Sequence, residues 1–71
     1  MNKTDMINQI IHNMPLPQKV DILETVEKDA VRFRWRGQTF RVGLNGFVEE
    51  VEGKFLSDSN AAILVRKILE G

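Results

Sequence analysis

From Val31 to Glu52 polar and apolar residues largely alternate, and the alternation is interrupted at Gly37-Gln38 and again at Asn45-Gly46. Nothing else in the 71-residue chain restricts its folding so tightly. A period of two sends successive side chains to opposite faces of a strand. Asn-Gly is the strongest short hairpin signal, and glycine in the first central position suits a type II′ turn. The pattern predicts three six-residue strands, 31–36, 39–44 and 47–52, in an antiparallel meander. Two-residue turns would align Trp35–Phe40–Val51, Phe33–Val42–Glu49 and Val31–Leu44–Phe47 on one face. Arg36–Thr39–Glu52, Arg34–Arg41–Glu50 and Arg32–Gly43–Val48 would share the other. The first face is apolar apart from Glu49. A three-residue second loop would bring Val48 inward, but together with Glu50 and Glu52, so the two-residue turn buries the better set.

Helices are expected on either side of the meander. Thr4 can cap a first helix whose stripe is Met6, Ile7, Ile10, Ile11 and Met14. The prolines of "MPLP" interrupt it, and Pro17 suits the first turn of a second helix. That helix would run to about Lys28 and bury Val20, Leu23 and Val26, with Ile22 alongside. Gly53-Lys54 turns the chain toward Phe55 and Leu56. Ser57 or Asp58 then caps a last helix carrying Ala61, Ala62, Leu64, Val65, Ile68 and Leu69. The expected fold is one α+β domain over residues 1–71, ordered ααβββα, with all helices on the Trp35–Phe40 face. No cysteine is present, so packing alone must hold a domain whose net stability at this size is about 3–5 kcal/mol.

Charge is neutral overall but unevenly spread. Residues 1–29 carry three Lys and five acids (−2), residues 30–48 four Arg and no acid (+4), and residues 49–71 three bases and five acids (−2). The stretch "VRFRWRGQTFRV" places four arginines among three aromatics. RNA-binding sheets stack bases on exposed aromatics, but alternation here puts the aromatics opposite the arginines, so base stacking is not expected. Two readings remain: a merely solvated face salt-bridged by Glu50 and Glu52, which lie across from Arg41 and Thr39, or a binding surface made of Arg32, Arg34, Arg36 and Arg41. Arg34 facing Arg41 would be a like-charge pair that costs stability, as a site for anionic groups would.

A three-stranded antiparallel sheet followed by a helix resembles arm-type integrase and AP2-like DNA-binding domains over residues 31–70. That resemblance implies arginine-bearing strands in the major groove; the acidic third strand departs from it. "MPLPQKVDILETV" resembles the two-helix openings of small bacterial antitoxins, which implies a self-associating regulatory protein. Neutral charge with acidic flanks favours a discrete acidic protein partner over a long polyanion. The leading expectation is therefore a non-catalytic module docking an acidic protein surface, with DNA binding by the same strands second. Self-association as a homodimer through helix 1 is third.

Other chemistry finds little footing. His12, the single histidine, has no converging partners in the sequence. Glu49 alternates away from Glu50 and Glu52, so the three cannot form one metal or acid–base site. Ser57 and Ser59 read as helix caps, and no phosphate loop or nucleophile motif appears. No enzyme, metal or cofactor is expected. The start lacks a signal-peptide pattern and no run approaches a membrane span, so a soluble, cytoplasmic protein is the expectation.

Overall fold

Asn2, not Thr4, caps the first helix: its side chain accepts a hydrogen bond from the Asp5 amide at 2.8 Å. This is a computed structural model describing residues 2–15 and 19–71. Helix α1 spans Lys3–Asn13 and helix α2 spans Asn60–Leu69. Between them run five strands: β1 (Val20–Leu23), β2 (Ala30–Trp35), β3 (Gln38–Gly43), β4 (Val48–Val51) and β5 (Phe55–Leu56). They pair in chain order as one antiparallel sheet.

The α+β class is therefore built from two helices and five strands, not from ααβββα with a three-stranded meander. The expected second helix is overturned where it is described: residues 20–23 are strand, paired to β2 from Val20–Trp35 to Leu23–Arg32. The local pattern is ambiguous, because Val20, Leu23 and Val26 fit a helix while Val20 and Ile22 fit one face of a strand. Long-range pairing decides it, since β1 covers the edge that β2 would otherwise expose. Val26, expected in the core, is 98% exposed. The corner at Leu16 and Pro17 lies outside the described residues.

The first hairpin turns at Arg36-Gly37, one residue earlier than expected. Both residues have positive φ (56° and 76°), the requirement of a type I′ turn, and Trp35 pairs with Gln38. The register thus slips by two, which keeps the faces: Phe33 stands opposite Phe40 and Val31 opposite Val42. Phe33, Phe40 and Trp35 are buried, with Phe33 and Phe40 stacked at 5.4 Å.

The second hairpin slips by one, and that reverses β4. Gly43 pairs across a three-residue loop, its amide donating to the Phe47 carbonyl at 2.8 Å. The Gly46 amide closes on the Gly43 carbonyl at 2.9 Å, with φ of 91° at Gly46. This is a type I turn followed by a left-handed glycine, a standard three-residue connection. A Cβ on Gly43 would meet Asn45 Oδ1 at 2.6 Å and so displace the side chain that accepts from the Phe47 amide at 3.1 Å. Val42 now faces Val48, Arg41 faces Glu49 and Phe40 faces Glu50. Val48 and Glu50 are buried on the helix side, while Phe47, expected inside, is 46% exposed.

Burying Glu50 is tolerable because it is partnered. Gln38 Nε2 donates to Glu50 Oε2 at 3.3 Å. Hydrogen bonds from Glu52, the Ser59 hydroxyl and Gln38 hold its carboxyl below the ordinary 4.5. Ser59, rather than Ser57 or Asp58, caps α2, accepting from the Ala62 amide at 3.1 Å. Helix α1 packs on β1 and β2 and α2 on β4. Their buried residues Met6, Ile10, Met14, Ala62, Val65 and Leu69 meet the strand residues in one core.

The Glu50–Glu52 pairing sets a pH signature. Hydrogen bonding to Glu50 and repulsion from it raise the Glu52 carboxyl above the ordinary 4.5. A raised carboxyl costs stability above its folded pKa, and the cost disappears below its unfolded one. Glu52→Gln should therefore raise the melting temperature near pH 7 and leave it unchanged below about pH 4. Thermal melts of both proteins at the two pH values check this; an equal shift at both would refute the electrostatic cause.

Candidate functional site on the open sheet face

Both helices cover the same side of the sheet, so the other side is open. Its side chains are Asp21 and Leu23 from β1, Arg32 and Arg34 from β2, and Thr39 and Arg41 from β3. Glu49 and Val51 from β4 and Phe55 from β5 complete it. Four residues of this face and two from the β1–β2 loop form a single cluster.

Arg32 and Arg41 stand directly opposite each other on β2 and β3. The like-charge pair expected at Arg34–Arg41 is thus displaced onto Arg32–Arg41, and Arg34 faces Thr39 and Asp21 instead. The repulsion is answered within the chain. Glu27 accepts from Arg32 Nε at 2.7 Å with one oxygen and from Arg41 Nε at 2.6 Å with the other. Arg41 Nη1 also donates to Glu49 Oε1 at 3.1 Å, and Asp29 Oδ1 lies 4.0 Å from its Nη2. The loop that delivers Glu27 is tied to α1 by Lys3 Nζ, which donates to the Glu27 carbonyl at 2.7 Å.

The electrostatics follow from these contacts. Hydrogen bonds from Arg41 and then Arg32 hold the Glu27 carboxyl below its ordinary 4.5. The bond to Glu27 pushes the Arg41 guanidinium above its ordinary value. Phe55, 51% exposed, lies beside both arginines, with its ring 5.4 Å from the Arg32 guanidinium carbon and 5.9 Å from that of Arg41. Glu27, Arg41, Glu49 and Phe55 line a cleft of about 280 Å³. Two cations and three acids (Glu27, Glu49, Asp29) give this cluster a net charge of +2 − 3 = −1. It does not attract an anion.

No family model, no curated protein and no solved structure matches the chain. Its chemistry must be read from its own residues.

The four arginines expected to form one site divide into two pairs. Arg32 and Arg41 belong to the neutralised cluster. Arg34 and Arg36 sit at the Trp35 end of β2 and make no ion pair among the described residues. Arg36 lies in the turn and stacks over the Trp35 ring at 5.2 Å. With Lys19, Asp21, Trp35 and Gly37 they line a shallow depression of about 180 Å³. Its charge is +3 − 1 = +2. Lys19, Glu27 and Phe55 were not singled out in the sequence, because each enters its cluster through β1, β5 or the loop between β1 and β2. Glu49 leaves the apolar face and becomes a partner of Arg41. His12 is exposed in the last turn of α1. Among the described residues no three His, Cys, Asp or Glu side chains group as a metal site. None of the described helices is long and apolar enough to cross a membrane.

Proposed function

We propose that the chain is a non-catalytic binding module that docks an acidic protein segment at the corner formed by Lys19, Arg34 and Arg36. The observation that carries this reading is the division of the arginines. Arg32 and Arg41 spend their charge on Glu27 and Glu49, whereas Arg34 and Arg36 remain exposed beside Lys19. Trp35 supports the corner from beneath the Arg36 guanidinium. Charge of this kind steers a partner and sets its orientation more than it adds raw affinity. A duplex is the weaker match, since Arg34, Arg36 and Lys19 neutralise about three phosphates at most, and Asp21 lies among them.

An amide-shift titration with a ten-residue polyglutamate peptide, beside one with a 20-base-pair duplex at about 150 mM salt, tests the reading. The peptide should move the signals of Lys19, Arg34 and Arg36, and Arg34→Gln should abolish those shifts while leaving the melting temperature within about 3 °C. Tighter binding of the duplex, or peptide shifts centred on Arg32 and Arg41, would overturn it.

Self-association through α1 is a second reading, and a specific observation favours it. Ile7 is half-buried and Ile11 is 54% exposed on the same flank of the helix.

A further inference from the structure

We infer that Arg36 is the anchor of the corner formed with Lys19 and Arg34: its guanidinium, stacked on Trp35, grips a side-chain carboxylate of the partner through two parallel hydrogen bonds. The inference rests on the docking reading above and names the group that is recognised.

Arg36 is the one non-glycine residue with positive φ among the described residues, at 56°. A side chain is disfavoured in that conformation, because its Cβ crowds a neighbouring carbonyl oxygen. Asparagine, aspartate and glycine are the residues that suit the first central position of a type I′ turn. Arginine at this position costs the hairpin stability, and its presence points to a use outside the turn.

The side chain is held ready for that use. Its guanidinium carbon lies 5.2 Å from the centre of the Trp35 ring. Trp35 is itself fixed, pairing with Val20 on one side and Gln38 on the other. A cation already stacked on a fixed ring loses little freedom when a ligand arrives. The planar fork of arginine can then meet both oxygens of a carboxylate at once. Trp35 brings a second unmet donor to the same depression: its indole Nε1 is buried and has no acceptor among the described residues. Buried indole N–H groups ordinarily have one.

Charge separates Arg36 from its neighbours. Arg34 stands opposite Asp21 across the β1–β2 ladder, and Lys19 is two positions from the same acid. Arg36 lies beyond the last pair of that ladder, Val20–Trp35, and makes no ion pair among the described residues. Lys19 and Arg34 therefore contribute steering charge, and Arg36 the fixed contact.

Arg36→Asn and Arg36→Lys, titrated with the polyglutamate peptide beside the unmodified chain, test the inference. The indole N–H of Trp35, the single tryptophan, gives its own signal and should move with the peptide in the unmodified chain. Arg36→Asn should weaken binding about tenfold or more. Its melting temperature should stay the same or rise by up to about 5 °C. Arg36→Lys keeps the charge but should weaken binding about fivefold, whereas Arg34→Lys should hold it within about twofold. Equal binding by Arg36→Asn and the unmodified chain overturns the anchor and leaves the docking corner standing. A melting temperature lowered by more than about 3 °C in Arg36→Asn shows that the arginine serves the turn itself, and overturns the inference. Undiminished binding by Arg36→Lys overturns the two-pronged grip. A peptide that moves no signal of the unmodified chain overturns the docking reading and the anchor together.

Discussion

Phe40→Ala should leave no folded population at room temperature. Phe40 is fully buried, stacks on Phe33 at 5.4 Å and packs against Trp35 at 6.4 Å. It stands at the centre of β3, the middle strand of five. Truncating a buried phenylalanine costs about 3–5 kcal/mol, because the cavity it leaves closes only partly. A domain of about 70 residues without disulfide or metal has about that much stability in total. Far-UV circular dichroism and a denaturant titration check it. A cooperative transition retaining more than half the parent's stability would show that the core rests on other contacts.

Glu27→Ala has the second-largest expected effect, and the sequence offers no warning of it. The substitution leaves Arg32 and Arg41 facing each other across adjacent strands with their bridging carboxylate gone. Two charge-assisted hydrogen bonds to a carboxylate 22% exposed are worth about 1–2 kcal/mol after solvent screening. The melting temperature should fall by about 5–15 °C. Adding Arg32→Gln to Glu27→Ala should then cost less than the sum of the two single changes, because one half of the repulsion is already removed. Strict additivity would mean that the bridge carries no coupling.

The same bridge fixes part of the response to acid. Glu27 has its carboxyl lowered below 4.5 by Arg41 and Arg32. Its contribution is therefore complete above the unfolded pKa and is lost as pH falls through the folded one. Glu27→Gln should flatten stability against pH in that acidic interval and leave its slope near neutrality unaltered.

The faces of β2 and β3 were legible because the error made there was harmless. Placing the first turn at Gly37-Gln38 instead of Arg36-Gly37 slips the register by two, and a slip of two leaves every side chain on its own face. Phe33, Trp35, Phe40 and Val42 are thus inside, and Arg34 and Arg41 on the open side. The second turn allowed no such margin. Asn45-Gly46 supports both a two-residue and a three-residue loop, and the choice falls to long-range terms. These are the burial of Val48, the partners available to Glu50 at Gln38 and Ser59, and the attraction of Glu49 to Arg41. None of these can be seen along β4 alone. Strand β1 was hidden for a related reason, since Val20, Ile22, Leu23 and Val26 satisfy two periodicities and only pairing with β2 separates them. The candidate site inherited both errors. Of the four arginines, the two that pair with Glu27 could not be told from the two that do not until the β1–β2 loop was in position.

The loop of Leu44, Asn45 and Gly46 carries a consequence for how this chain can vary in length. If the connection keeps its three-residue form, removing or adding one residue slips the pairing by one and exchanges the two faces of β4, turning Val48 and Glu50 out to solvent and Glu49 in among Phe40 and Val42. Adding a pair of residues restores the original assignment and only lengthens the hairpin. An insertion that instead widens the loop, leaving Val42 opposite Val48, keeps every side chain on its face and is tolerated like any other on a surface loop.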